Sequence, residues 1–137
     1  KAWFVIIDII TINDAGNLFD AAGLAALAAL KSATFPVVDE TTHTIHYKEK
    51  TDKPLPIVKE PLSVTVYKIN GALLVDPTSE EEDAYDARLT ITSDSKGTIS
   101  ALQKGGDAPL SVENISAMID LALEKAKFLR GELSRAV

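Results

Sequence analysis

Four short segments between residues 62 and 102 are separated by turn residues, and all but the second alternate apolar with polar side chains. Asn70-Gly71, a dipeptide typical of two-residue hairpin turns, joins the first pair, and a turn that ends at Gly97 joins the second. A period of two places every second side chain on the same face of a sheet. The predicted strands are residues 62–69, 72–76, 86–92 and 98–102. This part of the chain is therefore predicted to form two antiparallel hairpins.

A long helix is predicted on each side of these hairpins. The first covers residues 18–33, with Asn17 as a candidate cap and Asp20 near the positive end of the helix dipole. Its middle is uncharged and rich in alanine, which permits close packing on more than one side. Pro36 prevents the helix from continuing.

The second helix is predicted to begin after Ser111, a strong N-cap residue, and Leu110 is placed to contact Ile115 as a hydrophobic staple. Apolar residues then recur at steps of three and four, which predicts one face packed on a sheet. The residues of this face are Ile115, Met118, Ile119, Ala122, Ala126, Leu129 and Leu133.

Residues 3–12 are apolar on both alternating faces, which predicts a strand buried on both sides. Residues 38–61 are polar and contain prolines, so they are interpreted as a connector with one short strand at residues 42–48. The order of strand, helix, connector, antiparallel strands and helix indicates an α+β fold.

The composition is that of an ordinary globular chain, with 46% of its 137 residues hydrophobic. Lys and Arg number 14 against 20 Asp and Glu, and the net charge of -6 argues against a surface devoted to phosphate backbones. No cysteine is present, so disulfides and thiolate chemistry are excluded and a reducing cytoplasm is expected. The longest apolar run is interrupted by Asp8 and is too short to cross a bilayer, so no membrane role is expected.

Few residue patterns point to chemistry. His43 and His46 lie three apart in an extended segment, so their side chains point to opposite faces and are not expected to share a metal ion. The acids at positions 80–83 could hold a hard cation, but consecutive acids more often form a solvated loop. The tripeptide KGG that begins at Lys104 is a local candidate for contact with RNA, although glycine pairs usually let a chain turn. No nucleophile with its base is recognisable, so these patterns leave the function open.

Three stretches go beyond generic patterning: residues 3–29 (WFVIIDIITINDAGNLFDAAGLAALAA), 74–91 (LVDPTSEEEDAYDARLTI) and 97–106 (GTISALQKGG). Together they resemble the second half of the ribonuclease-PH-like subunits of exosomes, in the archaeal form that lacks catalytic residues. The resemblance implies a ribonuclease PH-like fold (ribosomal protein S5 domain 2-like), which is a mostly antiparallel mixed sheet with helices packed on it.

The same resemblance implies a division of the chain. Residues 1–37 would end a first ribonuclease PH-like domain with a strand and a helix, residues 38–61 would be a connector, and residues 62–137 would form the second domain. A start at Lys1 without methionine then suggests a fragment of a longer protein.

Active members of that family hold phosphate with a Gly-Gly-Thr-Arg turn at a helix entrance, and the matching turn here reads AGNL, ending at Leu18. Leu18 replaces the cation, and an apolar side chain cannot neutralise a phosphate. Arg88 falls where active members carry an acid, and a guanidinium cannot act as a general acid or bind a divalent cation. Asp86, two residues away, would fill that role only if the alignment slips. The resemblance therefore implies no catalytic residue, no metal site and no cofactor, with Asn17 and Leu18 as degenerate phosphate-site positions.

The function implied is that of a non-catalytic structural subunit of the archaeal RNA exosome. Such a subunit alternates with an active ribonuclease-PH-like sister in a hetero-hexameric ring, carries RNA-binding cap proteins and helps shape the path of the RNA. Arg88, Lys104 and Arg130 are the candidates for contact with RNA or with the sister subunit. Two alternatives stay open: an active phosphate-dependent 3′-to-5′ exoribonuclease that uses the acids at 80–86, and an unrelated self-associating α+β scaffold.

Overall fold

The computed structural model describes residues 2–137 as two antiparallel sheets and three helices. The helices are α1 (Leu18–Ser32), α2 (Ser79–Asp83) and α3 (Val112–Ala136). The strands are β1 (Thr34–Val38), β2 (Ile45–Pro54), β3 (Leu62–Ile69), β4 (Ala72–Val75), β5 (Ala87–Ser93) and β6 (Ile99–Gly105). β1 pairs with β2, and the larger sheet has the strand order β4-β3-β5-β6.

The larger sheet consists of the two predicted hairpins placed side by side, because β3 also pairs with β5. Asn70 and Gly71 join β3 to β4 with φ angles of 48° and 84°, the positive values that a tight hairpin turn requires. The carboxylate of Asp86 accepts the backbone N–H of Asn70 at 2.8 Å and so fixes this turn to the start of β5. The hairpins predicted from alternation are confirmed.

The core lies between one face of the larger sheet and the long helices. Val64, Val66 and Ile91 on the sheet are buried against Met118 and other small or apolar residues of α3. Each fully buried side chain of this size stabilises the fold by roughly 1.5–3 kcal/mol. The buried face of α3 is the predicted one, with Met118, Ala122, Ala126 and Leu133 buried and Ile115, Ile119 and Leu129 packed beside them.

The start of α3 also matches the sequence. The Ser111 hydroxyl accepts the backbone N–H of Asn114 at 3.2 Å, which makes Ser111 a side-chain N-cap. Leu110 and Ile115, the predicted staple pair, are both partly buried against the core.

The predicted strand at residues 3–12 is wrong. These residues adopt no regular secondary structure, and most of their apolar side chains are exposed, from Trp3 at 48% to Ile12 at 98%. The Trp3 ring contacts Phe35 of β1, with the ring centroids 5.4 Å apart. A strand that is apolar on both faces needs neighbouring strands and cover on two sides, and residues 13–137 supply neither.

The short strand predicted at residues 42–48 begins later and is longer than expected. It is β2 (Ile45–Pro54), which pairs antiparallel with β1 in a separate two-stranded ribbon. β1 was not predicted. The register of the pair shifts twice along β1, so apolar and polar residues do not alternate there and the sequence shows no strand pattern. His43 lies in the turn with a φ of 58°, His46 lies on β2, and both are exposed.

None of the helices found within residues 2–137 combines the length and the apolar character needed to cross a bilayer.

Candidate functional site

Three parts of the chain meet at the start of α1. They are the turn before the helix, the loop after β4, and the beginning of β5. Gly16 shows how closely the first two approach, because a Cβ at this position would lie 2.3 Å from the carbonyl oxygen of Pro77. The φ of Gly16 is 108°, a value that residues other than glycine rarely adopt. Only glycine fits here, so the turn and the loop are locked together.

Asn17 contributes to the same contact, but it does not cap α1. It adopts a left-handed conformation with a φ of 52°, and its side chain accepts no capping hydrogen bond from the helix backbone. Its amide nitrogen instead donates to the Asp76 carboxylate at 3.2 Å, while its amide oxygen is buried without a hydrogen-bond partner in the described chain. The predicted cap is wrong: the buried side chain of Asn17 bonds to Asp76, 59 residues away in sequence, and not to the first turn of the helix.

Asp20 carries the buried charge of the site. β4 ends opposite Val66, so the edge of β3 at Thr65 has no strand beside it. The Asp20 carboxylate fills this place, accepting the Thr65 N–H at 2.6 Å and the Thr65 hydroxyl at 2.9 Å. Burial raises the pKa of Asp20, and the bonds from Thr65 lower it by less.

From the sequence, Asp20 was noted only for its position near the positive end of the dipole of α1. The better signal was that it is the one charged side chain in the first three turns of an apolar helix. A charge in that setting requires a specific partner.

Leu18, the position that the resemblance gives to a phosphate-binding arginine, is partly exposed at 38%. Its side chain has no donor and no charge, so it can neither bind nor neutralise an anion. Phe19 beside it is more exposed, at 63%, and its ring faces the guanidinium of Arg88.

Arg88 lies at the start of β5 and is held by aromatic rings. Its guanidinium carbon lies 5.9 Å from the centroid of Phe19 and 6.0 Å from that of Tyr85. On β6, the paired Gly105 leaves room for this side chain, since a Cβ there would lie 2.7 Å from the arginine Nε. A Cβ at Gly106 would likewise lie 2.7 Å from the Tyr85 ring. The glycine pair of the KGG tripeptide is therefore explained by packing on Arg88 and Tyr85.

Tyr67 contacts Tyr85, one of the two rings beside Arg88, and also bonds to the acidic segment at residues 80–83. Its hydroxyl donates to Glu82 at 2.7 Å, and its ring meets Tyr85 edge to face. Burial, and next the bond to Glu82, raise the pKa of Tyr67 to about 12, against an opposing effect of Arg88. Tyr67 is therefore a neutral donor at physiological pH.

The acidic segment forms the short helix α2 instead of the expected loop. The hydroxyl of Thr78 and the carboxylate of Glu81 each accept a backbone N–H of the other residue, which is a capping box. Within residues 2–137 the structure has no group of three or more acidic or histidine side chains arranged to hold a metal ion.

The three basic candidates do not form one patch. Arg88 pairs with Gly105 and its neighbour Leu89 pairs with Lys104, so Arg88 and Lys104 lie on opposite faces of the sheet. Lys104 is exposed, and its ammonium group donates to the carbonyl of Gly106. Arg130 on α3 donates to the carbonyls of Glu60 and Ser93, at 2.7 and 2.5 Å, so it has a structural role.

Comparison with known proteins identifies the family of residues 59–125 and the fold of the chain. Residues 59–125 match the model of the 3′ exoribonuclease family, domain 2. This part of the chain belongs to the ribonuclease PH-like family, and the structure has the fold of the family's C-terminal domain, so the expected fold class is confirmed.

Within the family, the chain is similar to the exosome complex component Rrp42 of two archaea. It is 45% identical over 136 residues to the protein of Thermococcus gammatolerans and 42% identical over 135 residues to that of Thermococcus onnurineus. Each match covers 97% of this chain but only 49% of the relative, so the chain spans about half the length of these relatives.

Two solved structures have the same fold. One is an archaeal exosome core, with a TM-score of 0.73 and 34% identity over 90% of this chain and 47% of the other. The second is an Archaeoglobus fulgidus exosome with RNA bound to the active site, with a TM-score of 0.72 and 33% identity over 88% of this chain and 45% of the other. These similarities contradict the alternative of an unrelated scaffold.

Proposed function

We propose that this chain is part of a non-catalytic ring subunit of an archaeal RNA exosome. In that role it supports 3′-to-5′ RNA degradation by an active sister subunit and helps to shape the RNA path. Support comes from the similarity to Rrp42 proteins and to exosome cores, together with the chemistry at the start of α1.

The fixed position of Arg88 is the observation that carries this proposal. By family resemblance, an active enzyme needs an acid here and a cation at Leu18. Arg88 is instead a permanent cation over Phe19 and Tyr85, and it cannot transfer a proton or bind a divalent cation. Leu18 offers nothing to a phosphate, so charge of the right sign is missing at both positions.

The proposed partners are the active ribonuclease-PH-like sister, RNA-binding cap proteins and RNA, in the cytoplasm. An outer edge of the larger sheet suits a subunit contact. β6 has no strand on its outer side, and its apolar side chains Ile99 and Leu102 are 36% and 50% exposed. Unpaired strand edges readily accept another chain.

A phosphorolysis assay tests the proposal. The purified protein, incubated with poly(A), phosphate and Mg²⁺, is expected to release no nucleoside diphosphate, whereas the ring formed with the active sister releases it. The variant Arg88→Asp is expected to remain inactive, because Leu18 still lacks the phosphate-binding charge. Phosphate-dependent release by the protein without its sister would support the active-enzyme alternative. Failure to join a ring with the sister would contradict the structural role.

A further inference from the structure

A groove lies between the β5–β6 turn and the middle of α3, away from the site at the start of α1. It has a volume of about 400 Å³. Leu123 and Ala126 of α3 are among its apolar lining residues, Lys127 and Arg130 line it from the same helix, and Lys96 lines it from the turn. Lys127 and Arg130 are three residues apart, so they lie on one side of the helix. We call this the turn groove.

The charge of the turn groove is opposite to that of the chain. The groove is lined by the three cations Lys96, Lys127 and Arg130 and by one acid, Asp94. The net charge of its lining is therefore +2, whereas the net charge of the whole chain is -6. The Asp94 carboxylate is engaged by the turn itself, accepting the N–H groups of Lys96 at 2.9 Å and Thr98 at 2.8 Å. Neither Lys96 nor Lys127 forms a salt bridge with an acid of residues 2–137. Their charges are therefore available to a ligand.

The groove offers a ligand the ammonium groups of lysines and not a free arginine fork. A free arginine fork binds carboxylates and phosphates with two parallel hydrogen bonds. The fork of Arg130 is already used, because its two terminal nitrogens donate to the carbonyls of Glu60 and Ser93. The remaining charges are the ammonium groups of Lys96 and Lys127, which act as point charges, and the hydroxyl of Ser95 adds a donor beside them. Point charges suit the tetrahedral oxygens of a phosphate.

Arg130 also makes the groove rigid. Its bonds join α3 to Glu60, two residues before β3, and to Ser93 at the end of β5, so the helix and the turn keep a fixed separation. A ligand therefore meets charges that are already assembled, and ordering them costs little on binding.

We propose that the turn groove binds a phosphate group, borne either by the backbone of an RNA strand or by free inorganic phosphate. It shares no lining residue with the degenerate site at Asn17 and Leu18, so it is a separate anion site. The proposal goes beyond the ring-subunit function and does not depend on it, since the groove is formed by α3 and one hairpin alone.

Charge removal at the groove, compared with equal charge removal elsewhere, provides the test. The groove variant is Lys96→Gln with Lys127→Gln, and the matched control is Lys48→Gln with Lys50→Gln on the exposed β2. Both are made in the whole protein, in its ring where a ring forms. Equilibrium dialysis measures inorganic phosphate, and fluorescence anisotropy measures a labelled oligoadenylate. The groove variant is expected to lose about tenfold or more in affinity for at least one of these, since two charged hydrogen bonds are removed.

The two measurements identify the source of the phosphate. A loss of affinity seen only in equilibrium dialysis identifies free inorganic phosphate as the ligand of the groove. A loss in anisotropy, with the slope of log affinity against log salt reduced by about 1.4, assigns two backbone contacts on single-stranded RNA. A second variant, Ser95→Asp, adds a negative charge at an exposed turn position and is expected to show the same loss if the double variant does not fold.

Two results would overturn the proposal. In the first, the groove variants and the control bind both phosphate ligands equally well. In the second, the groove binds a polyglutamate peptide more tightly than either phosphate ligand, which would make it a carboxylate site for an acidic protein segment.

Discussion

The carboxylate of Asp20 accepts both the backbone N–H and the side-chain hydroxyl of Thr65, at 2.6 and 2.9 Å, although 45 residues separate the two. The Thr65 hydroxyl also bonds to Thr90 on β5, at 2.9 Å. The start of α1 is thereby attached to the centre of the larger sheet at the point where β4 ends. One buried side chain thus replaces a missing strand.

Removal of this carboxylate should destabilise the protein. Asp20→Ala leaves the buried N–H of Thr65 without an acceptor and is expected to lower the free energy of unfolding by about 1–3 kcal/mol. Asp20→Asn is expected to cost less, because its oxygen can accept the N–H while its nitrogen donates to the Thr65 hydroxyl. Urea unfolding of both variants measures the difference. If Asn costs as much as Ala, the hydrogen bonds do not account for the stabilisation.

The raised pKa of Asp20 gives this effect a pH dependence. The folded protein holds the proton more tightly than the unfolded chain does, so the stability that protonation adds is fully present below the ordinary pKa of 3.8. It is lost as the pH rises through the folded pKa. The wild type should therefore exceed Asp20→Asn in stability by more at pH 4 than at pH 7. A gap that is constant or larger at pH 7 would mean that Asp20 is not the titrating group.

Gly16 and Gly23 form a matched pair on either side of the helix start. Gly16→Ala places a Cβ against Pro77 at a φ of 108°, and we expect a loss of at least about 3 kcal/mol or failure to fold. A Cβ at Gly23, inside α1, would meet nothing within 4 Å, so Gly23→Ala should stabilise the protein by about 0.5–1 kcal/mol. Thermal unfolding of the two variants checks both signs, and a tolerated Gly16→Ala would disprove the close approach.

The cap of α3 is a more local test. Ser111→Ala is expected to destabilise the protein by about 1 kcal/mol, since the N–H of Asn114 loses its acceptor. Ser111→Asp keeps an acceptor and should remain close to the wild type. An unchanged melting curve for the alanine variant would show that the cap contributes nothing measurable.

The success of the sequence predictions follows the range of the interactions. Elements that depend on near neighbours were predicted correctly: the Asn70-Gly71 turn, the Ser111 cap and the buried face of α3. Asn17 failed as a cap because the residue that binds it, Asp76, is distant in sequence. No local pattern encodes such a contact.

The candidate site shows the same limit. The resemblance identified Leu18 and Arg88 as positions of interest, but it gave no sign that Phe19, Tyr85 and Gly105 surround the arginine. Arg130, an RNA candidate from its residue type alone, proved to be a donor to two backbone carbonyls. Unpaired carbonyls at the end of a strand are invisible in a sequence, so a long basic side chain near them is easily taken for a surface charge.

The apolar residues 3–12 lead to a prediction about association. Phe4 and Ile10 are 87% and 85% exposed, and Trp3 contacts only part of the ribbon through Phe35. Contiguous apolar patches of more than a few hundred Å² seldom stay bare on soluble proteins. The outer side of α1 adds small residues that allow close approach, among them Ala21 and Ala25. We therefore expect this chain to self-associate through Trp3 or Phe4 and the alanine-rich side of α1, or to stay soluble only with a covering partner.

Sedimentation at micromolar concentration checks this association, with two variants for comparison. Phe4→Asp combined with Ile10→Asp should shift the protein towards monomer, because a charge buried in an apolar contact is costly. Val58→Asp is the control, since Val58 is 91% exposed but lies outside the segment, and it should leave the association unchanged. Trp3 fluorescence should move to longer wavelength with the double variant as water reaches the ring. A wild-type monomer whose Trp3 emission already indicates full burial would contradict the prediction, because it would mean that the chain covers residues 3–12 itself.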